Sequence, residues 1–563
     1  MKKAVCVLLG ALLLMAAAAA PARRVGLTIT IFTLWDHLRL HFHTDTAVYE
    51  IAMTDFVPDE VEIQQRQVRL RQWRPVTPGF LPYDGRLARQ DRLAFQDVDL
   101  DAYPDDAPVS WGEPMIIPAG GGFVVDSRYL LADPQRFDTT MDYRPRQGEL
   151  LYTGAAGQAP LRQREFFRET YLGPVASLSG DPYLRIVSGN DVPSWARTRV
   201  GAQVTRSMQF FQSKLGPLPW APTLVMAALP EKLDEPRSGM MGKATPNGIL
   251  TFRFFGADSL TDTEGGRADL EHIASHEVFH FWDASVSKLR NGGDAPWLYE
   301  GGADYASMLA RRALGQLDGV RWNREIDRQL AYCRAQLGAR GLAQLEGGER
   351  HSLAYPCGTV IQWVCDLAIQ RATRQQGGIF DLWRMLIARA KAQGGYYTLG
   401  DFRSSLAAYD PRALATVDLL LTPDPAGDRW SKLRSQMEAY GVRTGPAFQN
   451  EWEARGTLVG RLLAADCTDT GPFQLTQVAA GFQLTIQRPG CRHFGATTEV
   501  RTVEGRSLRF DTYGAYRAAL DKCASGLPID VILGSGQPVA LTCARPLPPL
   551  TQSPQDFTVV AMP

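Results

Sequence analysis

The stretch from His276 to Asp283, HEVFHFWD, places two of the chain's eight histidines four residues apart with a carboxylate directly after the first. On a helix, at about 100° per residue, His276 and His280 lie about 40° apart, and Glu277 is turned about 60° beyond His280. Ala274, Val278 and Phe281 fall on the opposite side, where they bury against a core. Two imidazoles so placed can share one ion. Zinc suits them, because it takes neutral ring nitrogens and leaves room for a carboxylate and a water, and Glu277, beside the pair, is placed to accept a proton from that water. A pair of helical histidines alone is equally a surface feature, so the reading turns on a third ligand.

Three points on one short helix cannot surround an ion, so that ligand must come from another element. In PWLYEGGADY (296–305), Pro296 suits a helix start, and Glu300 and Asp304 lie one turn apart on one face. Glu300 then completes a two-histidine, one-glutamate site for one Zn2+, with a fourth position open to water. Asp304 is placed to accept the free ring N–H of a ligating histidine, fixing its tautomer. The alternative makes the two carboxylates a solvated face, or Asp304 a partner for arginines.

HEVFHFWD followed by WLYEGGADY resembles the gluzincin metallopeptidases, above all their alanyl aminopeptidase and glycyl aminopeptidase families. The resemblance covers about residues 190 to 440 and implies a thermolysin-like catalytic domain. The nineteen residues between His280 and Glu300 are one more than the usual alanyl aminopeptidase spacing, which the loop RNGGDAP (290–296) can absorb. Those families place a tyrosine in a YxKG segment, and AYPCGTVIQW puts Tyr355 in that register with Cys357 at the lysine position. The resemblance implies that Tyr355 donates its hydroxyl to the oxyanion formed as water attacks a carbonyl. Alanyl aminopeptidases also carry a GxMEN segment whose glutamate holds the substrate's free amine. In SGMMGKATPNGILTFRFF (238–255) Gly239 and Met241 match, but Gly242 and Lys243 stand where Glu and Asn belong. Lys243 is read either as a solvated side chain or as a cation for an anionic substrate group.

With 563 residues the chain exceeds what one hydrophobic core supports, and a multidomain fold is expected. Apolar residues at 45% and charged residues at 21% match soluble globular proteins, and sixty basic side chains balance sixty acidic ones. No net field steers nucleic acid or an anionic membrane to it. Lys2 and Lys3 precede the apolar run 4–20, which ends in Ala20-Pro21-Ala22, so residues 1–22 read as a secretory signal, with an uncleaved anchor as the other reading. No later stretch is apolar enough to span a membrane. Of eight cysteines, Cys6 lies in that signal; Cys467, Cys491, Cys523 and Cys543 cluster near the end, where three disulfide pairings are open, and one of the seven must lack a partner within the chain.

Along the chain, residues 23–185 read as short strands such as TITIFTL, HLRLHFH and QVRLRQW, a β-rich N-terminal domain of sandwich type. Residues 186–445 begin with a helix over SWARTRVGAQVTRSMQFFQSKLG and two strands, then turn helical, an α+β catalytic unit. Residues 446–563 return to strand-like runs, and the glycyl aminopeptidase resemblance implies a small PDZ-like module there. The expectation is an exported zinc metallopeptidase that acts on a peptide or protein. A catalytically inactive binding protein of the same fold, and a hydrolase of a non-peptide ester or epoxide, stand as alternatives. The sequence is silent on oligomeric state.

Overall fold

A computed structural model of the chain describes residues 24–53, 72–83, 86–104, 115–152, 169–174, 178–180, 184–228, 239–255, 262–290, 295–448, 451–468, 473–478, 481–486, 490–543, 546–548 and 552–561. The signal segment, most of QVRLRQW and part of the RNGGDAP loop lie outside them.

The first strands form because alternation has a buried face to serve. In Leu38–Val48, Leu38, Leu40 and Phe42 are buried while Arg39, His41 and His43 point outward. Their outward neighbours on Phe95–Ala102 are aspartates in register, Arg39 opposite Asp101, His41 opposite Asp99 and His43 opposite Asp97. This pair lies inside a five-stranded sheet, flanked by Val25–Thr33 and Phe137–Arg144, which run parallel to each other, and by Trp73–Pro75. A four-stranded sheet (Ile116–Ala119, Gly122–Asp126, Glu149–Tyr152, Glu169–Pro174) and a three-stranded one accompany it. Leu27, Phe42, Trp73, Val98, Val125 and Leu172 belong to one core that joins the first two sheets.

The other face of the four-stranded sheet joins this part to the next. Ile117, Val124 and Tyr171 pack on Val187, Val225 and Ile249 of a second five-stranded sheet. In that sheet Arg185–Ser188, Thr223–Ala228 and Ile249–Phe255 run parallel, and Gly239–Ala244 closes the edge antiparallel to the last. Helix α1 (Ser194–Leu215) covers it with Val200, Val204, Met208 and Phe211, and ends at Gly216, whose φ of 91° is open to glycine and strained for other residues.

Helices α2 (Glu264–His280), α3 (Pro296–Ala313), α4 (Gly319–Leu337) and α5 (Gly347–Ala372) follow. Ala274, Val278 and Phe281 are fully buried on one side of α2 and its extension. The pairing of α3 with α5 is unusually close. A Cβ on Gly301 would come within 2.3 Å of the Gly358 backbone, so both positions exclude side chains. A disulfide ties Cys333 of α4 to Cys357 of α5.

The last part, read as β-rich, also holds two helices. Glu451–Asp466 is a helix whose Ala454, Leu458, Leu462 and Leu463 line a third core, and Thr512–Ala524 is a second helix with Ala515, Tyr516 and Ala519 inside. Their apolar residues recur every three or four positions, the helical period. Both pack with a six-stranded sheet. Disulfides join Cys467 to Cys491 and Cys523 to Cys543, and Cys365 remains free and buried. The final strand, Gln552–Ala561, leaves this unit to pair with Arg443–Phe448, and Val559 enters the core of the helical part. Among the described residues no helix is long and apolar enough to cross a membrane.

Candidate metal centre

Helix α2 starts at Thr263, whose hydroxyl accepts from the Gly266 N–H at 3.0 Å. Its buried side is fixed by aromatic contacts: Phe279 meets Phe211 and Trp383 edge-on, with ring centroids 5.3 Å apart in both cases. With that side locked, His276 and His280 face α3. At His280 the helix widens into one π turn, Phe281–Val286.

Three atoms converge there. His276 Nε2 lies 3.1 Å from His280 Nε2, and Glu300 Oε2 lies 3.2 Å from the first and 3.5 Å from the second. Behind them, Asp304 Oδ1 sits 2.8 Å from His276 Nδ1 and Asp283 Oδ1 sits 2.8 Å from His280 Nδ1. When each ring donates its Nδ1–H to its carboxylate, the two Nε2 atoms and the Glu300 oxygen are three acceptors with no proton among them. Such a triangle requires positive charge at its centre. The surroundings favour positive charge here: burial opposes charge on His276, but the carboxylates of Asp304 and Glu300 overcome it and raise its pKa. Glu300 is held well below the usual carboxylate range, its burial outweighed by the two imidazoles. Two nitrogens and a carboxylate oxygen, each backed by a second group, fit a divalent transition ion such as zinc.

Glu277 points the other way, to the edge strand. Its Oε2 accepts from the Ala244 N–H at 2.9 Å, and burial raises its carboxyl above the ordinary range. The strand approaches closely because position 242 is glycine: a Cβ there would stand 2.4 Å from Glu277 Cγ. Tyr355, in the third turn of α5, stacks on the His276 ring at a centroid distance of 5.8 Å with the planes 24° apart. Burial, then the neighbouring carboxylates, hold that phenol well above its usual range, so it is protonated and able to donate.

No protein-family model and no curated protein matches the chain. Among the solved structures that are similar in part are those of a yeast enzyme. Native yeast LTA4 hydrolase gives a TM-score of 0.41 at 11% identity, over 80% of this chain and 73% of its own. Its complex with bestatin gives 0.41 at 11%, over 78% and 71%. Native leukotriene A4 hydrolase from Saccharomyces cerevisiae gives 0.39 at 11%, over 73% and 70%. Likeness this low carries no argument about activity.

The structure thus gathers His276, His280, Glu300, Asp304, Glu277 and Tyr355 into one site. The GxMEN-like segment lies beside the site as the edge strand, but its lysine faces away. Gly239 opens the edge strand, Met241 is exposed on it, and Lys243 is neither solvated nor turned to a ligand. Its ammonium lies 2.8 Å from Asp126 and 3.1 Å from Glu169, both buried residues of the four-stranded N-terminal sheet. That correction has a plain cause: the sheets meet at this strand, and alternation sends residue 243 into the junction while residue 242 faces α2.

Sequence reasoning passed over several residues. Asp283 is in the quoted octapeptide, three positions after His280, and that i,i+3 spacing was the available signal. His272, one turn before His276, has its Nε2 3.3 Å from Asp304 Oδ1. His351, one turn before Tyr355, was visible in the same way. A second cluster, Asp466 with Cys467 and Cys491, is no metal centre, since both sulfurs are spent in a disulfide.

Proposed function

We propose that the chain is an exported zinc-dependent metallopeptidase. The observation that carries this is the triangle of His276 Nε2, His280 Nε2 and Glu300 Oε2, with a half-buried, hydrogen-bonded Glu277 beside it. Export rests on the signal-like residues 1–22 and is supported by three disulfides, which persist in oxidising compartments.

His276, His280 and Glu300 would hold the zinc, which when bound supplies a Lewis acid that lowers the pKa of water and polarises a carbonyl. Asp304 and Asp283 fix the two rings so that Nε2 of each faces inward. Glu277 acts as general base: one oxygen is anchored on Ala244 N–H, the other is free to take the water's proton, and burial makes it a stronger base than an ordinary glutamate. Tyr355 donates its phenolic proton in a hydrogen bond to the carbonyl oxygen as charge develops there. Glu277 then delivers the proton it holds to the departing amine nitrogen.

The edge strand Gly239–Ala244 favours a peptide substrate. Its backbone already turns Ala244 N–H toward the base, and the period of a strand sends the N–H of Met240 and Gly242 to the same side. An extended peptide can add to such an edge through main-chain hydrogen bonds. Gly242 offers no carboxylate for a free amine, and Asp126 and Glu169 are paired with Lys243. Cleavage therefore does not require a free amino terminus.

The deciding experiment is hydrolysis of a fluorogenic peptide library by zinc-loaded protein, wild type against Glu277→Gln. Activity that disappears with the substitution and with chelator supports the proposal; equal hydrolysis by E277Q overturns it. Amino-blocked and free peptides in the same library test the last point.

A further inference from the structure

His351 and Tyr355 stand one turn apart on the same face of α5. His351 Nε2 lies 3.2 Å from the Tyr355 hydroxyl, and the rings meet edge-on at 5.3 Å. His351 is exposed, and among the described residues its imidazole meets that hydroxyl and no other polar side chain. A group so placed contributes little to packing. Its geometry is directed at one atom.

That atom has a choice to make. A phenol carries one proton and two oxygen lone pairs, so it can donate one hydrogen bond at a time. The Tyr355 hydroxyl faces His351 Nε2 directly. If its proton were given to the imidazole, nothing would remain for a substrate oxygen. With Nε2 protonated the direction reverses: the histidine donates, the phenolic oxygen accepts, and the proton of Tyr355 is left for a third group. A hydroxyl that accepts a hydrogen bond is also polarised into a stronger donor.

We propose that His351 is a positioning residue for Tyr355: its Nε2–H donates to the phenolic oxygen, holds the ring over His276 and commits the phenolic proton to the substrate carbonyl oxygen. This rests on the role given to Tyr355 under Proposed function. No bond is made or broken at His351, and its proton stays on the ring throughout.

Removing the histidine therefore acts on the transition state through Tyr355, and on nothing else. His351→Ala lowers kcat for a fluorogenic peptide about tenfold with KM within about twofold, the scale of one polarising hydrogen bond. His351→Gln, whose amide N–H reaches the place of Nε2–H, restores most of the rate. In a Tyr355→Phe background, which alone costs about a hundredfold or more, adding H351A costs nothing further. A phosphinic peptide, which presents an anionic oxygen without reacting, binds H351A about tenfold more weakly, a readout independent of turnover. An unchanged kcat in H351A, or an equal loss with and without Tyr355, overturns the proposal and leaves the hydrolytic centre standing. Full activity in Y355F overturns it together with the role of Tyr355, whereas full activity in E277Q strikes the reading of the site itself.

Discussion

His280 Nδ1 and Asp283 Oδ1 are 2.8 Å apart within a single widened turn, so the second histidine carries its own orienting carboxylate on the same element. His276 takes its carboxylate, Asp304, from the next helix. The two rings are thus fixed independently, and the site stays organised only while α2 and α3 remain packed.

Replacing the local partner should loosen the ion without unfolding the site. Asp283→Asn is expected to weaken zinc binding about 10- to 100-fold, the usual scale for such orienting groups. A competition titration against a chromogenic chelator measures it, and unchanged affinity would contradict the role.

Gly242 sets how near the edge strand comes to the base. In Gly242→Ala the new methyl meets Glu277 Cγ at 2.4 Å and Ile273 Cγ2 at 2.9 Å. The carboxylate must shift, and a displacement of about 1 Å lowers kcat by up to about a hundredfold. Zinc content, measured by elemental analysis, should stay at the wild-type level.

Lys243 is structural. Its removal in Lys243→Ala leaves Asp126 and Glu169 buried with a charge uncompensated, and should lower stability by about 3 kcal/mol in urea unfolding. KM for peptides bearing acidic side chains should not change, because the ammonium never faces the cleft. A selective rise in KM for those peptides would show otherwise.

Asp466 gives a pH signature in the C-terminal unit. Burial works against its charge, but N–H bonds from His493 (2.8 Å) and Phe494 (3.0 Å) and the His493 ring outweigh it, holding the carboxyl below the ordinary aspartate value. A group depressed on folding stabilises the native state above its unfolded pKa of about 3.9, and that contribution is lost as pH falls through the folded value. Asp466→Asn should therefore cost about 2 kcal/mol at pH 7 and progressively less below about pH 4. Urea unfolding of both proteins at pH 7 and pH 3 checks the sign.

Much of the centre was legible because it is local. HEVFHFWD fixes two rings and Glu277 through one helical period, and WLYEGGADY fixes Glu300 and Asp304 through another. Asp283 and His351 were equally legible at spacings of three and four from His280 and Tyr355, and went unread because neither residue is part of the motif that carries the resemblance. The helix at Glu451–Asp466 was hidden by attention to the strands that follow it. Lys243 was misread for a different reason, since its partners stand 117 and 74 positions earlier in the chain.

By itself the sequence determined that His276 and His280, and Glu300 and Asp304, stand together on the helices that present them, because periodicity along one segment decides which groups share a face. Only the tertiary structure decided that Gly242 admits Glu277 to the edge strand, that Gly301 and Gly358 let two helices touch, and that Cys333 pairs with Cys357. Those are contacts between segments. They depend on how sheets and helices stack, and no period within either partner records them.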